Sequence, residues 1–375
     1  MGWIGSHSRS CLKKQEAACS WSSAVLACLV LNLSGCASFG PQTVDRDRFD
    51  YMNAVASSWK QQTLLNIVKM RYADTPVFLD VWQIISGYQL QGTVTVGGSL
   101  GSASVLGNVF NMGTTGQYTD RPTITYTPLT GAHFLQVMIT PIPPPALLMR
   151  AEEGWPIDML LQIGVQSING LSNRKGGARG HPADPDFVKL LAALQRLQAS
   201  GALDLRMEMS NESKHEGTVL IISQKNPPPE VQADRALIRK LLGLRPDLEE
   251  YKVVYGSVAR KDDEIAMQTR SGFQLLVQLG ANVEVPPEHI AEQRTYPMIQ
   301  ESDDMSRLLP RLIRIHAEKS KPADAFAAVK YRDYWYWIDD RDYRSKRIFT
   351  FLMIIMTLSE TEDKVQAPVV TIQGN

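Results

Sequence analysis

A long stretch without ionisable side chains constrains this chain more than any other feature of its sequence. Between Asp80 and Asp120, residues 81–119 contain no Asp, Glu, Lys, Arg or His, although charged residues make up 21% of the 375-residue chain. Such a stretch is either a glycine-rich loop or a surface suited to low-dielectric surroundings, because transmembrane β-strands keep charge off their lipid-facing side.

The first half of the uncharged stretch has the alternation of a β-strand. Its apolar positions are Leu90, Val94, Val96 and Leu100, and polar residues occupy the positions between them. Since a period of two residues is the period of a strand, we expect a long antiparallel hairpin or meander over 88–127. Gly113 to Gly116 have the composition of a turn, and the second half of the stretch alternates poorly.

The four apolar positions of this hairpin, Leu90, Val94, Val96 and Leu100, are candidates for contact with a partner or a membrane. The alternatives are an edge hairpin on a soluble sheet and a glycine-rich flap that becomes ordered against a partner.

The charge and cysteine counts exclude some classes of function. Lys and Arg together equal Asp and Glu at 39 each, which argues against a protein that binds nucleic acid by neutralising phosphates. All four cysteines, Cys11, Cys19, Cys28 and Cys36, lie in the first 36 residues. The remaining chain therefore cannot form an internal disulfide or a cysteine metal site.

The N-terminal residues have the layout of a secretion signal. Basic residues precede an apolar run over 21–33, which is too short to span a bilayer. The run ends in Leu-Ser-Gly-Cys at 33–36, which resembles the bacterial lipobox. That resemblance implies removal of residues 1–35 and acylation of Cys36, with fatty acids such as palmitate. Because Ala37 and not Asp follows, it also implies the outer membrane, on the periplasmic side.

The mature chain is predicted to have an α+β fold with three parts. Residues 36–48 are expected to be a tether, 49–173 to contain a helix, the uncharged hairpin and a helical block, and 186–375 to repeat strand–strand–helix units. These units predict a mostly antiparallel or mixed sheet covered by helices. Helices are expected near 49–72, 186–198, 230–242, 271–279 and 340–358, and a strand near 367–373.

The search for catalytic chemistry is mostly negative. The sequence contains no H-E-x-x-H metal motif and no P-loop, and we predict no catalytic residue, metal or cofactor. One cluster, Asp339, Asp340 and Asp342, lies beside four aromatic residues. Either these residues form a carboxylate or metal site next to a sugar-stacking platform, or Asp339 or Asp340 caps the helix that follows and the aromatics lie in the core.

A basic loop is the second cluster. Arg174, Lys175 and Arg179 lie in a glycine-rich segment between the two larger parts of the chain. They could contact lipid phosphates or lipopolysaccharide, and the alternative is a solvated loop.

Four segments resemble a group of proteobacterial lipoproteins that have no assigned activity. They are LLNIVKMRYADTPVFLDV (64–81), RPTITYTPLTGAHFLQVMITPIPP (121–144), GWPIDMLLQIGVQSINGLSN (154–173) and YWYWIDDRDYRSK (334–346). The resemblance covers most of the mature chain and implies a Gram-negative envelope location. It assigns no role to any residue.

The leading hypothesis is a non-enzymatic lipoprotein, anchored to the outer membrane through Cys36, that serves as a scaffold or accessory part of an envelope assembly. Its partners would be the membrane and either another envelope protein or a second copy, and not nucleic acid. The first alternative is an oligomeric pore that inserts the 88–127 hairpin into the membrane. The second is a glycan-directed or other hydrolase that uses Asp339, Asp340 or Asp342.

Overall fold

The computed structural model describes residues 39–85, 88–99, 109–120, 123–128, 134, 138–209, 216–222, 228–298 and 302–358. Within them the chain has an α+β fold, as its sequence predicts. Contacts divide the chain into a short unit, residues 1–57, and a large unit, residues 58–375. In the described residues, the short unit contains only the first part of one helix.

Nine helices occur in the part of the chain that the structure describes. They are α1 (Phe39–Arg71), α2 (Pro144–Glu152), α3 (Ile157–Gly164), α4 (Pro185–Ser200), α5 (Pro229–Leu242), α6 (Gly272–Gly280), α7 (Pro287–Ala291), α8 (Asp303–Leu308) and α9 (Tyr343–Leu358). Several begin at or next to proline, whose fixed φ suits the first helical turn.

The strands divide among four sheets. They are β1 (Leu79–Ile85), β2 (Tyr88–Ser99), β3 (Val109–Asp120), β4 (Thr123–Pro128), β5 (Val165–Ile168), β6 (Leu171–Ser172), β7 (Leu203–Met209), β8 (Glu216–Ile222), β9 (Glu250–Tyr255), β10 (Glu264–Thr269), β11 (His316–Glu318), β12 (Ala325–Tyr331) and β13 (Tyr334–Asp339). Two pairs, β1–β4 and β2–β3, are separate from a three-stranded sheet, β11-β13-β12, and a six-stranded sheet, β6-β5-β10-β9-β8-β7.

The six-stranded sheet is mixed. Its β9 and β10 are parallel, and its other neighbouring strands are antiparallel. Strands β5 and β6 come from before the expected boundary at 173–186, and they join the same sheet as strands that come after it. The core between this sheet and the helices α2, α3 and α4 contains a gap of about 20 Å³ lined only by apolar side chains. A gap of this volume has room for about one water molecule and offers it no hydrogen bond, so we interpret it as a packing defect.

Helix α1 begins at Phe39, ten residues earlier than the sequence pattern predicts. Most of the expected tether, residues 36–48, is therefore helical. Pro41 does not prevent this, because it lies in the first turn, where a backbone N–H has no partner within the helix. The far end of α1 enters the core of the large unit, where Leu64, Ile67 and Val68 are completely buried.

Helix α9 is the core helix that the apolar run near the C-terminus predicts. Its residues Ile348, Phe349, Phe351 and Leu352 are completely buried. None of the helices in the described residues combines the length and apolarity needed to cross a membrane. The strand expected at 367–373 lies outside the described residues.

The first residues of the basic loop are not exposed to lipid or to solvent. Asn173 and Arg174 are buried. The amide of Asn173 donates to the carbonyls of Gln162 at 2.9 Å and Val165 at 2.7 Å, and the guanidinium of Arg174 donates to the carbonyl of Leu309 at 2.6 Å. The loop therefore supplies hydrogen bonds to the end of α3, and only its later basic residues, Lys175 and Arg179, are exposed.

A second buried arginine caps the same helix end. Arg270 donates to the carbonyls of Gln162 at 2.9 Å and Ile163 at 2.6 Å, and to the carbonyl of Arg174 at 2.6 Å. Burial, and then the charge of Arg174, lower the pKa of Arg270 to about 9, so it remains a cation at neutral pH. A cation at a helix C-terminus interacts favourably with the helix dipole.

Close backbone packing fixes this loop against α6. A Cβ atom at Gly176 would lie 2.9 Å from the Cβ of Ala281, 3.0 Å from the Cα of Gln278 and 3.1 Å from the carbonyl oxygen of Val277. Gly280 is the last residue of α6, and a Cβ there would lie 3.1 Å from the carbonyl oxygen of Ile67 in α1. A Cβ at Gly176 would force neighbouring atoms to shift, and one at Gly280 would be tight against the α1 backbone.

We predict that Gly176→Ala destabilises the protein by about 1–3 kcal/mol, because the added methyl group meets backbone that cannot move away freely. Gly116→Ala is the matched control, since a Cβ there has nothing within 4 Å. Chemical denaturation of both variants measures the difference. Equal midpoints for Gly176→Ala and Gly116→Ala would contradict the close packing of the loop.

Candidate functional site

A buried hydrogen-bonded network joins three distant parts of the chain. The hydroxyl of Tyr72 lies 2.7 Å from Nδ1 of His289 and 2.6 Å from the hydroxyl of Tyr336. An order in which Tyr336 donates to Tyr72, and Tyr72 donates to His289, satisfies all three groups. This order requires a neutral imidazole that accepts at Nδ1.

Local structure places each member of the network. Tyr72 follows the last residue of α1, where Ala73 has a φ of 55° and turns the chain out of the helix. His289 lies on the short helix α7, and Tyr336 lies at a completely buried position of β13. Because β13 is the central strand of its sheet, the tyrosine is fixed by strand pairs on both sides.

A tight hairpin turn brings two more tyrosines to the same region. The turn between β12 and β13 consists of Arg332 and Asp333, with φ angles of 46° and 67°. Two positive φ values are required by the two-residue turn that matches strand twist, and a large side chain at Arg332 makes this conformation unfavourable. The turn pairs Tyr331 with Tyr334 across the hairpin.

Carboxylates and one guanidinium surround the network. The hydroxyl of Tyr331 donates to Asp74 at 2.9 Å, and the hydroxyl of Tyr334 donates to Glu288. The guanidinium of Arg332 lies 5.0 Å from the ring centre of Tyr72, which is cation–π distance. We call the five residues Tyr72, His289, Tyr331, Tyr334 and Tyr336 the tyrosine network.

The pKa values of the tyrosine network favour its neutral form. Burial raises the pKa of Tyr72 and of Tyr336. The hydrogen bond to Glu288 raises the pKa of Tyr334 to about 12. Burial, and then the charge of Arg294, lower the pKa of His289 below its ordinary value of 6.5. At neutral pH the interior of the network is therefore uncharged.

The buried part of the network, Tyr72, His289 and Tyr336, connects separate elements of the fold. Tyr72 is 5% exposed, His289 4% and Tyr336 0%, and each polar atom in the chain of hydrogen bonds faces another protein group. The same contacts attach the end of α1 to α7 and to the three-stranded sheet. We therefore interpret these hydrogen bonds as structural contacts that hold α1, α7 and the three-stranded sheet together.

The three aspartates that the sequence marks as a possible carboxylate site have separate local roles. Asp342 accepts from the backbone N–H of Ser345 at 3.0 Å and from its hydroxyl at 2.7 Å. Asp342, and not the expected Asp339 or Asp340, therefore caps α9. Asp339 accepts from the backbone N–H of Arg341. Asp340 is the ion-pair partner of Lys346 at 2.9 Å. In the residues that the structure describes, no group of three His, Cys, Asp or Glu is placed to hold a metal ion.

A short motif around Ser99 in the uncharged stretch also lacks the structural context of a catalytic nucleophile. The residues Gly-Gly-Ser-Leu-Gly at 97–101 have the letters of the G-x-S-x-G elbow. That elbow places its serine between a strand of a large sheet and a helix. Ser99 instead ends β2 and is paired with Val109 in a two-stranded sheet.

Two long strands of the uncharged stretch pair with each other in the described structure. Strands β2 and β3, twelve residues each, pair antiparallel from Tyr88↔Asp120 to Ser99↔Val109. At the rise of a strand this length is about 40 Å. Among the described residues neither strand pairs with a third one. We call the β2–β3 pair the ribbon.

The expected turn at Gly113 to Gly116 is wrong. Both glycines lie inside β3, where Gly113 pairs with Thr95 and Gly116 pairs with Gly92. The sequence suggested a turn because glycine is common in turns. Here, pairing with the long strand β2 holds both glycines in an extended conformation. A Cβ added at Gly92, Gly113 or Gly116 would have nothing within 4 Å, so no other element covers the ribbon at these positions in the described structure.

The register also shows that the second half of the stretch alternates. Directly paired positions share a face of a two-stranded sheet. Leu90 pairs with Tyr118 and Val96 pairs with Met112, which gives one face apolar positions on both strands. The opposite face has polar positions, and its described members Gln91, Thr93, Thr95, Thr115 and Gln117 are exposed. The ribbon is thus two-faced along its length.

The β1–β4 pair continues the offset of the ribbon over part of its length. From Gln83 to Ile85, beyond a bulge between Val81 and Gln83, β1 pairs with β4 at the offset of the ribbon, since Ile85 pairs with Thr123 and Tyr88 pairs with Asp120. Large apolar side chains are exposed on β4, with Ile124 41% and Tyr126 55% exposed. Exposed apolar side chains of this size, continuous with a two-faced ribbon, are typical of an interaction surface.

Two of the sequence-predicted site residues, Cys36 and Leu100, lie outside the described residues. Leu90, Val94 and Val96 lie in β2 at alternating positions, as predicted. The tyrosine network was not predicted, because no sequence pattern relates Tyr72 to His289. No family model, curated protein or solved structure matches this chain.

We predict that His289 makes folding stability depend on pH. Its pKa is lower in the folded chain than its ordinary value of 6.5. As the pH falls through that value, the unfolded chain binds a proton that the folded chain does not, so the free energy of unfolding decreases. His289→Asn keeps a hydrogen-bond acceptor for Tyr72 and removes the titration.

Chemical denaturation of both proteins between about pH 7.5 and 5 tests this expectation. The wild type is expected to lose more stability over this range than His289→Asn. Because the other histidines are common to both proteins, the difference belongs to His289. Identical pH profiles would contradict a buried, neutral imidazole.

Proposed function

We propose that this chain is a lipoprotein of the bacterial outer membrane, held on the periplasmic side by acyl chains on Cys36. In this proposal it acts by binding and not by catalysis, as a scaffold or accessory component of an envelope assembly. The ribbon is its contact element. The proposal needs no cofactor, and the balanced charge of the chain gives no basis for nucleic-acid binding.

The observation that carries the proposal is a ribbon without charge from Tyr88 to Thr119, with which no third described strand pairs, on a chain with a lipobox-like leader. An isolated two-stranded hairpin is marginally stable in water. A ribbon of twelve residue pairs is therefore expected to gain stability from a partner. More than one acyl chain on Cys36 would keep the protein at the membrane, where that partner would also lie.

The interior of the large unit supports a binding role in a second way. Its buried polar groups, in the tyrosine network and around the end of α3, are used to hold elements together. Such a body is suited to hold a contact element in a fixed place. A binding site carried by rigid elements is more precise than one carried by loops.

An oligomeric pore is the second candidate function. The register favours it, because apolar and polar positions alternate on both strands and each strand has twelve residues. A strand of about 9–11 residues is sufficient to cross a bilayer. Open strand edges cannot face lipid, so this candidate requires several copies that pair their ribbons.

Palmitate labelling of cells tests the anchor. The full chain is expected to incorporate labelled palmitate and to fractionate with the outer membrane. Cys36→Ser is expected to lose all label, because only the lipobox cysteine is acylated. Cys28→Ser is the matched control and is expected to be labelled like the wild type. Label on Cys36→Ser would contradict the assignment.

A version in which residues 1–36 are replaced by a leader that is cleaved without lipidation separates the two candidate functions. If the lipid anchor alone holds the protein, this version is expected in the soluble periplasmic fraction. Retention in membranes that resists urea would favour insertion of the ribbon and the pore. Retention that urea removes would indicate a tight protein partner at the membrane.

A further inference from the structure

We propose that the ribbon pairs edge to edge with the ribbon of a second copy of this chain, so that β3 of one copy lies beside β2 of the next. This inference rests on the proposed function, in which the ribbon is the contact element, and it names the partner. It is carried by three observations on the strand edges of this molecule.

The free edges of the ribbon supply enough hydrogen bonds for an interface. In an antiparallel pair, every second residue directs its N–H and C=O away from its partner strand. A twelve-residue edge thus offers about 12 such groups, comparable with the roughly 10 hydrogen bonds of a typical protein interface. In the described structure β2 pairs only with β3 and β3 only with β2, so both edges are available.

The edges of the ribbon lack the residues that prevent edge pairing in other proteins. Soluble proteins protect exposed edge strands with charged side chains, proline or short length. Residues 81–119 contain no charged residue and no proline. An edge with these properties favours the addition of another strand.

The other edge strands of the same chain are protected in the usual ways. At one edge of the six-stranded sheet, β7 alternates Asp204, Arg206 and Glu208 along its length. At the other edge, β6 has two residues, and the edge strand β11 has three. The remaining edge strands, β1, β4 and β12, have six or seven residues and include Asp80, Pro128 and Lys330, respectively. The ribbon has twelve residues in each strand and no charged residue or proline from Tyr88 to Thr119, so its edges favour pairing.

A second copy suits these edges better than an unrelated strand. Both edges have the same length, their one charged residue is Asp120 at the end of β3, and both belong to a ribbon with one apolar and one polar face. Pairing in matching register places apolar positions beside apolar positions, and a slip of one residue would place them beside polar ones. Because β2 and β3 are different surfaces, the contact is head-to-tail and can continue until a ring closes.

Single cysteines test this pairing in the full, lipidated chain. The four natural cysteines all lie at or before Cys36, so the mature chain would have no free thiol once Cys36 is acylated. Gln91→Cys and Gln117→Cys, exposed positions on β2 and β3, are expressed together with different tags and oxidised in membranes. The expected product is the mixed disulfide, about tenfold above the product of Ala199→Cys, an exposed control on α4.

The disulfide pattern gives each alternative its own outcome. A higher yield of the mixed disulfide than of like-with-like disulfides, which join two chains with the same cysteine, supports the head-to-tail pairing. A predominance of like-with-like disulfides, or yields equal to the Ala199→Cys control, would overturn it. Unchanged palmitate labelling in the same cells would then show that the anchor remains and that only self-pairing has failed.

A charge on the edge strand is an independent check. Thr115→Lys, made in the Gln117→Cys chain, adds to β3 the kind of residue that protects edges elsewhere. We expect about a tenfold lower yield of the mixed disulfide, equivalent to 1.4 kcal/mol. The matched control is Ser200→Lys, an exposed residue at the end of α4. An equal yield from both lysine variants would count against pairing through the strand edge.

Discussion

Every β-strand has two rows of backbone hydrogen-bonding groups, and both rows need partners, cover or protection. The six-stranded sheet meets that requirement with one charged and one very short edge strand, and the ribbon does not. A long ribbon with two open edges and no charge before Asp120 is a costly feature for a protein to keep unless a partner uses it. The proposed role of the molecule follows from this requirement.

The body that carries the ribbon is held together by polar groups in unusual places. Asn173 and Arg270 cap the end of α3. Asn173 comes from the loop after β6, and Arg270 follows β10, more than a hundred residues away. The end of α1 is fixed by the hydroxyl of Tyr72, which binds both His289 and Tyr336. Since a buried polar group that loses its partner is strongly destabilising, these contacts specify one arrangement of the elements.

Much of the fold could be predicted from the sequence, because its signals are local. Proline marks the start of α4 and α5 and a serine caps α6, so the bounds of these helices agree closely with the expected ones. Strand alternation similarly predicts β2. These patterns depend on neighbours a few residues apart, which a sequence displays directly.

The features that could not be predicted all depend on pairing between distant residues. Arg174 lies in a segment whose sequence is typical of a solvated basic loop. It is buried because its guanidinium donates a hydrogen bond to the carbonyl of Leu309. The alternation of β3 is hidden by Gly113 and Gly116 until the register with β2 is known. The contact between Tyr72 and His289 joins residues 217 positions apart.

Hydrogen exchange of the ribbon is the most direct test of the central claim that it is the contact element of a membrane-anchored protein. Mass spectrometry would compare β2 and β3 in the lipidated protein in native membranes with the same strands in the non-lipidated monomer, using β7 as the internal reference. The account predicts slower exchange of the ribbon in membranes and no change in β7. Equally fast exchange of the ribbon in both preparations would contradict it.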